Sequence, residues 1–179
     1  LVSSHLSDHA ENEYVVREIT NCLLTLSRRR VGALLVFEQK VGLKDVIETG
    51  TAMDSKISDA LLQNIFEPNT PLHDGAVVIR GSRIMSAGCI LTLAEGMGIS
   101  RELGTRHRAA IGITETTDAV TLIVSEETGI ISVASEGRLT RHLDRLLLEQ
   151  VLYKMYHQHE EGLWSMLFGR SKRKKGDAS

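Results

Sequence analysis

Two short stretches of the sequence combine residue types that could bind a nucleotide and act on it. The first reads PLHDGA at residues 71–76, and the second reads GTRHRAA at residues 104–110. A carboxylate such as that in the first stretch can activate a hydroxyl group, and cations such as those in the second bind phosphate oxygens. The pair predicts attack of a ribose hydroxyl, activated at the first stretch, on the α-phosphorus of a triphosphate held by the second.

Asp74 is the residue of the first stretch with the clearest chemical use. Its carboxylate could accept a proton from the attacking hydroxyl, or share a divalent metal that lowers the pKa of that hydroxyl. Gly75 and Ala76 are small enough for a ligand to approach the main chain, and His73 is the neighbouring candidate metal ligand. Two plainer interpretations stay open, because an Asp-Gly pair is also a common hairpin turn and a single histidine often only forms structural hydrogen bonds.

The second stretch is interpreted as the start of a helix. Thr105 is a plausible helix cap, and the next three residues supply two permanent cations and a histidine beside free backbone N–H groups. Each of these favours phosphate oxygens, and together they suit a triphosphate or a departing pyrophosphate. The alternative is a solvated basic turn. The apolar residues 109–111 that follow favour a helix docked on a core, which would hold the cations in a fixed place.

Composition excludes several other classes of protein. The chain has 179 residues, a net charge of −2 and a pI near 6.4, which argues against a general nucleic-acid-binding protein and requires any anion site to be local. Cys22 and Cys89 are too few for a zinc cluster or a disulfide framework, so we expect two reduced, partly buried thiols. The sequence contains no P-loop, GxGxxG or HExxH motif and no apolar run long enough to span a bilayer.

The remaining pattern predicts the scaffold. Residues 8–28 have the period of an amphipathic helix, and residues 31–37 form a continuous apolar run that predicts a strand covered on both faces. A polar connection follows, and then a helix capped by Ser58 that ends at Pro68. We therefore predict an α/β fold with a mixed parallel and antiparallel central sheet flanked by helices on both faces.

The second half of the chain predicts two hairpins and a last helix. Residues 75–80 and 83–93 are predicted strands joined at Gly81-Ser82, and residues 119–124 and 129–133 are predicted strands around a turn at 125–128. Residues 95–98 are a predicted loop, and Ser100 is a second plausible cap. The final helix is predicted to start near Thr140, with the following residues on its buried side: Leu143, Leu146, Leu147, Val151 and Leu152. Residues 1–160 are the predicted domain, and residues 161–179 are a predicted flexible basic tail.

The two motifs resemble those of the diadenylate cyclases, a family that condenses two ATP into cyclic di-AMP and releases two pyrophosphates. Residues 74–76 match the D-G-A motif of that family, and residues 106–108 match its R-H-R motif. The likeness covers about residues 10 to 157. It is greatest to the membrane-anchored cyclases of Gram-positive bacteria, in which transmembrane helices precede the catalytic domain, and this would explain a chain that opens at Leu1 without Met.

The resemblance implies roles for individual residues. Asp74 would activate the ribose 3′-hydroxyl, and His73 would help to hold Mn²⁺ or Mg²⁺, or another divalent metal such as Co²⁺. The residues implied to bind the nucleotide are Gly75, Ala76, Leu91, Thr105, Arg106, His107, Arg108, Ser125 and Glu127. Leu91 would flank adenine, while the last two match a segment near phosphate and metal, where an ordinary polar turn is an equal alternative.

The resemblance also implies partners and a location. Cyclic di-AMP has two equivalent halves, so we predict two active sites that face each other across a homodimer two-fold axis. A membrane regulatory protein and a phosphoglucosamine mutase are further expected partners, and DNA is not. The full-length protein is expected at the cytoplasmic face of the plasma membrane, and this chain is expected to be a soluble piece of it.

Overall fold

A computed structural model describes residues 2–96 and 103–157 of the chain. In this part of the chain a seven-stranded sheet has the order β2-β4-β3-β1-β5-β6-β7. Its strands are β1 (Ala33–Phe37), β2 (Thr51–Lys56), β3 (Ala76–Arg80), β4 (Arg83–Cys89), β5 (Val120–Val124), β6 (Ile131–Ser135) and β7 (Arg138–Thr140). β1 and β3 are parallel and every other neighbouring pair is antiparallel, so the predicted mixed sheet is confirmed.

Helices cover both faces of this sheet, as predicted. They are α1 (Val2–Arg29), α2 (Lys44–Ile47), α3 (Asp59–Phe66), α4 (Thr105–Thr116) and α5 (Arg145–Tyr156). One apolar core lies between the sheet and α1, α3 and α5, and a second lies between the opposite face and α4 with the partly buried residues of α2. Among the described residues, no helix combines the length and apolar character needed to cross a bilayer.

The central strand explains why the apolar run at 31–37 is continuous. Leu35 and Phe37 point into the core under α1, while Leu34 and Val36 point into the core under α4. Side chains alternate between the faces of a strand, so a strand covered on both sides needs an apolar residue at every position. All five residues of β1 are buried.

Several local predictions are confirmed. The Ser58 side chain caps α3 by accepting a hydrogen bond of 3.1 Å from the backbone N–H of Leu61. The β3–β4 hairpin turns at Gly81 and Ser82, and β5 pairs with β6 around residues 125–130. Both cysteines are free and buried.

Other local predictions were wrong. The connection through residues 42–50 contains α2 and leads into β2, whose mostly exposed side chains gave no apolar alternation. The second strand of the first hairpin ends at Cys89 and not at residue 93. Thr105 is the first residue of α4 rather than its cap, which is Gly104 and forms no side-chain hydrogen bond. The predicted cap Ser100, part of the 95–98 loop and the tail at 161–179 lie outside the described residues.

The last helix begins later than its apolar pattern predicted. β7 occupies residues 138–140, and Asp144 caps α5 by accepting a hydrogen bond from the backbone N–H of Leu147. This start rotates the helix, so that Leu146 is 62% exposed and Leu147 is 40% exposed. Val151 and Leu152 are buried as predicted, Leu148 joins them on the buried face, and the buried Leu143 precedes the helix.

Strand directions bring distant residues to one edge of the sheet, meaning here the side formed by the strand ends and not an outer strand. β1 and β3 are parallel and therefore start at the same edge, and the antiparallel β5 ends there because Val124 pairs with Ala33. Asp74 precedes β3, Ser125 follows β5, and α4 begins on the same side of the molecule. The fold thus places both predicted motifs at one edge.

Gly112 fixes the distance between α4 and the segment that follows β4. A Cβ atom there would overlap the carbonyl oxygen of Thr92 and lie 3.0 Å from the backbone nitrogen of Ala94. We expect Gly112→Ala to lower stability, because overpacking costs about 1–3 kcal/mol and outweighs a helix-propensity gain of at most about 1 kcal/mol.

Chemical denaturation of this variant and of Gly42→Ala, where the added methyl group meets nothing within 4 Å, measures the difference. A Gly112→Ala variant as stable as the wild type would show that the segment after β4 moves away from α4 at no cost in stability.

Candidate active site

Two adjoining clefts open at this edge of the sheet. The larger has a volume of about 220 Å³ and the smaller about 50 Å³, and both are lined by Thr105 and Arg106. The larger also contains Asp74, and the smaller contains the turn after β5. The structure therefore brings the two motifs together, with Arg106 at their junction.

The walls of the larger cleft differ in polarity. Asp74, Gly75 and Ala76 line one part of it. The other described lining residues, apart from Thr105 and Arg106, are apolar or weakly polar, and they are Leu34, Cys89, Ile90, Leu91, Leu93 and Ala109. Ile90 is 72% exposed. A cleft with an apolar wall and one carboxylate suits a flat heterocycle joined to a hydroxylated sugar.

The backbone at Gly75 holds Asp74 at the mouth of this cleft. Gly75 has a φ of +109°, and a Cβ atom there would lie 2.7 Å from the carbonyl oxygen of Cys89 and 2.9 Å from the carbonyl carbon of Gly88. Only glycine therefore allows β4 to approach this closely, and Gly75 also lines the cleft. The hairpin turns at residues 81–82, so Asp74-Gly75 is not the hairpin turn of the alternative interpretation. The Asp74 side chain is exposed.

His73 is half-buried and its ring has a defined orientation. Its Nδ1 atom lies 2.6 Å from the carbonyl oxygen of Thr70. A carbonyl oxygen can only accept a hydrogen bond, so this contact places the ring N–H on Nδ1 and leaves the lone pair on Nε2. That tautomer is the one in which Nε2 can bind a metal. Among the residues described, no group of three or more His, Cys, Asp or Glu side chains could hold a metal ion.

The start of α4 presents unpaired donors to both clefts. The first helical hydrogen bond runs from the backbone N–H of Arg108 to the carbonyl of Gly104, so the N–H groups of the three preceding residues have no acceptor within the helix. The Gly104 cap lacks a side chain to satisfy them. Thr105 is exposed and its hydroxyl is not used as a cap. Such a helix start favours anions.

Arg106 lies against the backbone at the start of β1. A Cβ atom on Gly32 would lie 2.6 Å from both the Cζ and Nη1 atoms of Arg106, so only glycine leaves room for the guanidinium in this position. Nη1 lies 3.2 Å from the Oε2 atom of Glu126, whose side chain is 65% exposed. Because Glu126 reaches the guanidinium from the solvent side, water screens this ion pair in part, and a phosphate can replace Glu126 at little cost. The Nε atom of Arg106 is buried without a partner.

His107 is buried in the wall of the smaller cleft. It is 5% exposed, and its Nε2 atom has no hydrogen-bond partner. Burial lowers the pKa of His107, the positive charges of Arg141 and Arg106 lower it further, and Glu127 opposes them. The imidazole is therefore neutral at neutral pH, and arginines provide the fixed positive charge of this cleft.

Arg108 has a different environment from Arg106. Its Nε and Nη2 atoms each donate a hydrogen bond of 3.2 Å to the carbonyl oxygen of Ala94, and its own carbonyl accepts one from the N–H of Ala94. Neither cleft is lined by Arg108. The structure shows Arg108 fixing the segment after β4, and its predicted phosphate contact stays a prediction.

The turn after β5 forms the far wall of the smaller cleft. Ser125 Oγ accepts hydrogen bonds of 3.3 Å from the N–H groups of Glu127 and Thr128, which is an ordinary polar turn. The same residues line the cleft. The turn is tied to the end of α1, where the Ser27 hydroxyl donates a 2.5 Å hydrogen bond to the carbonyl of Gly129.

Sequence reasoning missed four residues of the site. Gly32 sits inside an apolar run, and nothing in that run shows that an arginine packs on it. Arg141 lines the smaller cleft from the segment after β7, a strand that was not predicted. The apolar residues on either side of Leu91 could have been found, because Ile90 and Leu93 flank it in the sequence.

The family model described as DisA bacterial checkpoint controller nucleotide-binding matches residues 20–139, which include both motifs. The chain belongs to the diadenylate cyclase (DAC) domain family. The cyclic di-AMP synthase CdaA of Bacillus subtilis is 52% identical over 137 residues, which are 76% of this chain and 50% of that protein. A diadenylate cyclase of Listeria monocytogenes is 47% identical over 144 residues, covering 80% of this chain and 53% of that protein.

Solved structures show the same fold. A double mutant of DacA from Staphylococcus aureus matches with a TM-score of 0.80 and 48% identity, covering 82% of this chain and 97% of that one. A Bacillus cereus protein described as a hypothetical membrane spanning protein matches with a TM-score of 0.69 and 45% identity, covering 72% of this chain and 63% of that one. The chain spans about half the length of the curated relatives CdaA and the Listeria cyclase.

The contact between Gly32 and Arg106 can be tested by one methyl group. In Gly32→Ala the added Cβ displaces the guanidinium, which is the flexible end of a side chain, so the fold yields there without unfolding. On the prediction from the sequence that this site binds ATP, we expect ATP affinity to fall about tenfold, because the guanidinium no longer lies where it can donate a charge-assisted hydrogen bond to phosphate.

Calorimetric titration with ATP measures this change, and Gly42→Ala serves as the control with open space around the new methyl group. Wild-type ATP affinity in Gly32→Ala would show that the position of Arg106 does not govern binding.

Proposed function

We propose that this chain is a diadenylate cyclase, which joins two ATP molecules into cyclic di-AMP and releases two pyrophosphates. The observation that supports this most directly is that Asp74 and Arg106, from distant parts of the sequence, line the same cleft. The reaction needs a group that activates a sugar hydroxyl beside a group that holds a triphosphate. Membership of the family and the names of the relatives agree with this proposal.

The different linings of the two clefts support one orientation of ATP. Adenine lies against the apolar wall that includes Leu91, and the ribose lies toward Asp74. The phosphates pass the start of α4 at Thr105 and Arg106, which are common to both clefts, and enter the smaller polar one. In this arrangement the larger volume receives the nucleoside and the smaller receives the phosphate chain.

The chemical step is an in-line displacement at phosphorus. The ribose 3′-oxygen forms a bond to the α-phosphorus of the other nucleotide, the bond from that phosphorus to the bridging oxygen breaks, and pyrophosphate leaves with the electron pair. Asp74 accepts the proton of the hydroxyl. Arg106 and the N–H groups at the start of α4 stabilise the negative charge on the phosphate, so that positioning and electrostatics supply most of the catalysis.

Residues near Asp74 fit a divalent metal in part. His73 presents Nε2 as a ligand, since Nδ1 is held by Thr70, and the remaining ligands would come from phosphate oxygens and water. Glu126 and Glu127 line the phosphate cleft, where carboxylates beside a triphosphate favour a bound cation. Mn²⁺, Mg²⁺ or a similar ion would lower the pKa of the attacking hydroxyl and neutralise phosphate charge.

Asp74→Asn tests the assignment of the base. The change removes the proton acceptor without adding bulk to an exposed side chain, so we expect turnover to fall about a hundredfold or more while ATP still binds. Chromatography and mass analysis of the product formed from ATP and Mn²⁺ measure turnover, and Asp45→Asn on the exposed α2 is the matched control.

If the wild type makes cyclic di-AMP and Asp74→Asn keeps full turnover, the role of Asp74 is contradicted but the proposed activity is not. ATP binding without product in the wild type would favour a regulatory nucleotide-binding module.

The product also requires two sites. Each 3′-oxygen in cyclic di-AMP is joined to the phosphorus of the other nucleotide, and a cleft that holds one ATP cannot close that ring. Two subunits that face each other across a two-fold axis bring two nucleotides together in the required head-to-tail order. The exposed Ile90 at the mouth of the larger cleft is available for such a contact.

Dilution tests the dimer requirement. Turnover per subunit is expected to fall as the protein is diluted through the concentration at which the dimer dissociates, measured by sedimentation in the same buffer. Turnover per subunit that stays constant through dissociation would rule out a shared reaction between two clefts.

The proposal also covers the cellular location and the partners of the full-length protein. A location at the cytoplasmic face of the plasma membrane agrees with the Bacillus cereus relative described as membrane spanning. The membrane regulatory protein and the phosphoglucosamine mutase stay predicted partners.

A further inference from the structure

We infer that Arg141 binds the terminal phosphates of the nucleotide and the departing pyrophosphate, as the second arginine of the smaller cleft. This inference rests on the proposed function and names a residue outside both motifs. Arg141 lines the cleft together with the start of α4 and the turn at residues 125–128. Its Nε atom is buried and has no hydrogen-bond partner.

A second observation points to a ligand at the same place. His107 is only 5% exposed, lines the cleft, and has an Nε2 atom without a partner. Buried polar atoms are nearly always hydrogen-bonded, so three unpaired groups in one cleft, including the Nε atom of Arg106, indicate a missing polar partner. Arg141, Arg106 and His107 all line this cleft, and the positive charges of the two arginines lower the pKa of His107. That space suits an anion.

The backbone holds Arg141 in place. It directly follows β7, which pairs with β6 through Val133 and Thr140. His142 has a φ of +66°, a conformation that non-glycine residues seldom adopt, and the next N–H, of Leu143, donates a 2.9 Å hydrogen bond to the carbonyl of Ile131. The buried Leu143 side chain anchors the segment. Arg141 is therefore presented by fixed structure and not by a mobile loop.

The order of residues along the clefts assigns the phosphate that each arginine binds. Arg106 is shared by the two clefts and so meets the phosphate nearest the ribose, whereas Arg141 lines only the smaller cleft, farther from Asp74. The β- and γ-phosphates occupy that end. When the bond at the α-phosphorus breaks, negative charge grows on the pyrophosphate, and a guanidinium there stabilises the leaving group.

The test compares pyrophosphate with AMP, which carries only the phosphate nearest the ribose. Each is titrated against a fluorescent ATP analogue bound to the wild type, Arg141→Gln and Arg141→Lys, in the presence of Mg²⁺. We expect Arg141→Gln to weaken pyrophosphate binding at least tenfold and to change AMP binding less than twofold, because only pyrophosphate reaches the far end. Arg141→Lys keeps the charge but lacks the planar set of guanidinium donors. We expect its pyrophosphate affinity to lie between those of the wild type and Arg141→Gln.

Arg145→Gln is the matched control, since Arg145 is an exposed residue of α5 that pairs with Glu149 at 3.4 Å. Pyrophosphate affinity in Arg141→Gln equal to that of the wild type would overturn the inference, and so would equal weakening of both ligands with a lowered melting temperature. The assay measures binding alone. It can therefore contradict the role of Arg141 while the wild type still makes cyclic di-AMP, and it can support that role even if the wild type makes none.

Discussion

The site depends on the close contact between the Arg106 guanidinium and the backbone at Gly32. This contact joins the first turn of α4 to the start of the central strand, and it fixes a positive charge between the two clefts. The guanidinium has little to lose by meeting a phosphate, because its acidic partner Glu126 is mostly in solvent. A rigid cation with a weakly bound counter-charge is well suited to a ligand that must bind, react and leave.

The strand order turns this contact into a nucleotide site. The parallel pair β1 and β3 begins at the edge where β5 ends, so one edge receives an acidic residue from one loop and a polar turn from another. α4 lies against one face of the sheet and points its unpaired N–H groups to the same edge. The proposed ligand site therefore lies at the amino ends of the parallel strands, where a helix start and a tight glycine approach supply the polar groups.

Much of this arrangement can be read from the sequence. The continuous apolar run in the central strand, the Ser58 cap and the Gly81 hairpin each depend on local chemistry, and each prediction is confirmed. The buried face of α5 was harder to predict. Leucine occupies each of positions 146–148, so the apolar pattern leaves the helix rotation undecided until the Asp144 cap sets the start. Contacts between distant residues cannot be read in this way. The meeting of Gly32 with Arg106, and the approach of Arg141 to His107, follow from a strand order that no local pattern contains.

The hydrogen bond between Ser27 and Gly129 has a mechanical consequence. α1 packs on the face of the sheet opposite α4, yet its last turn holds the loop that walls the phosphate cleft. The hydrogen bond therefore couples the loop to α1. A tilt of α1 would be passed to the wall of the smaller cleft from the opposite face of the sheet.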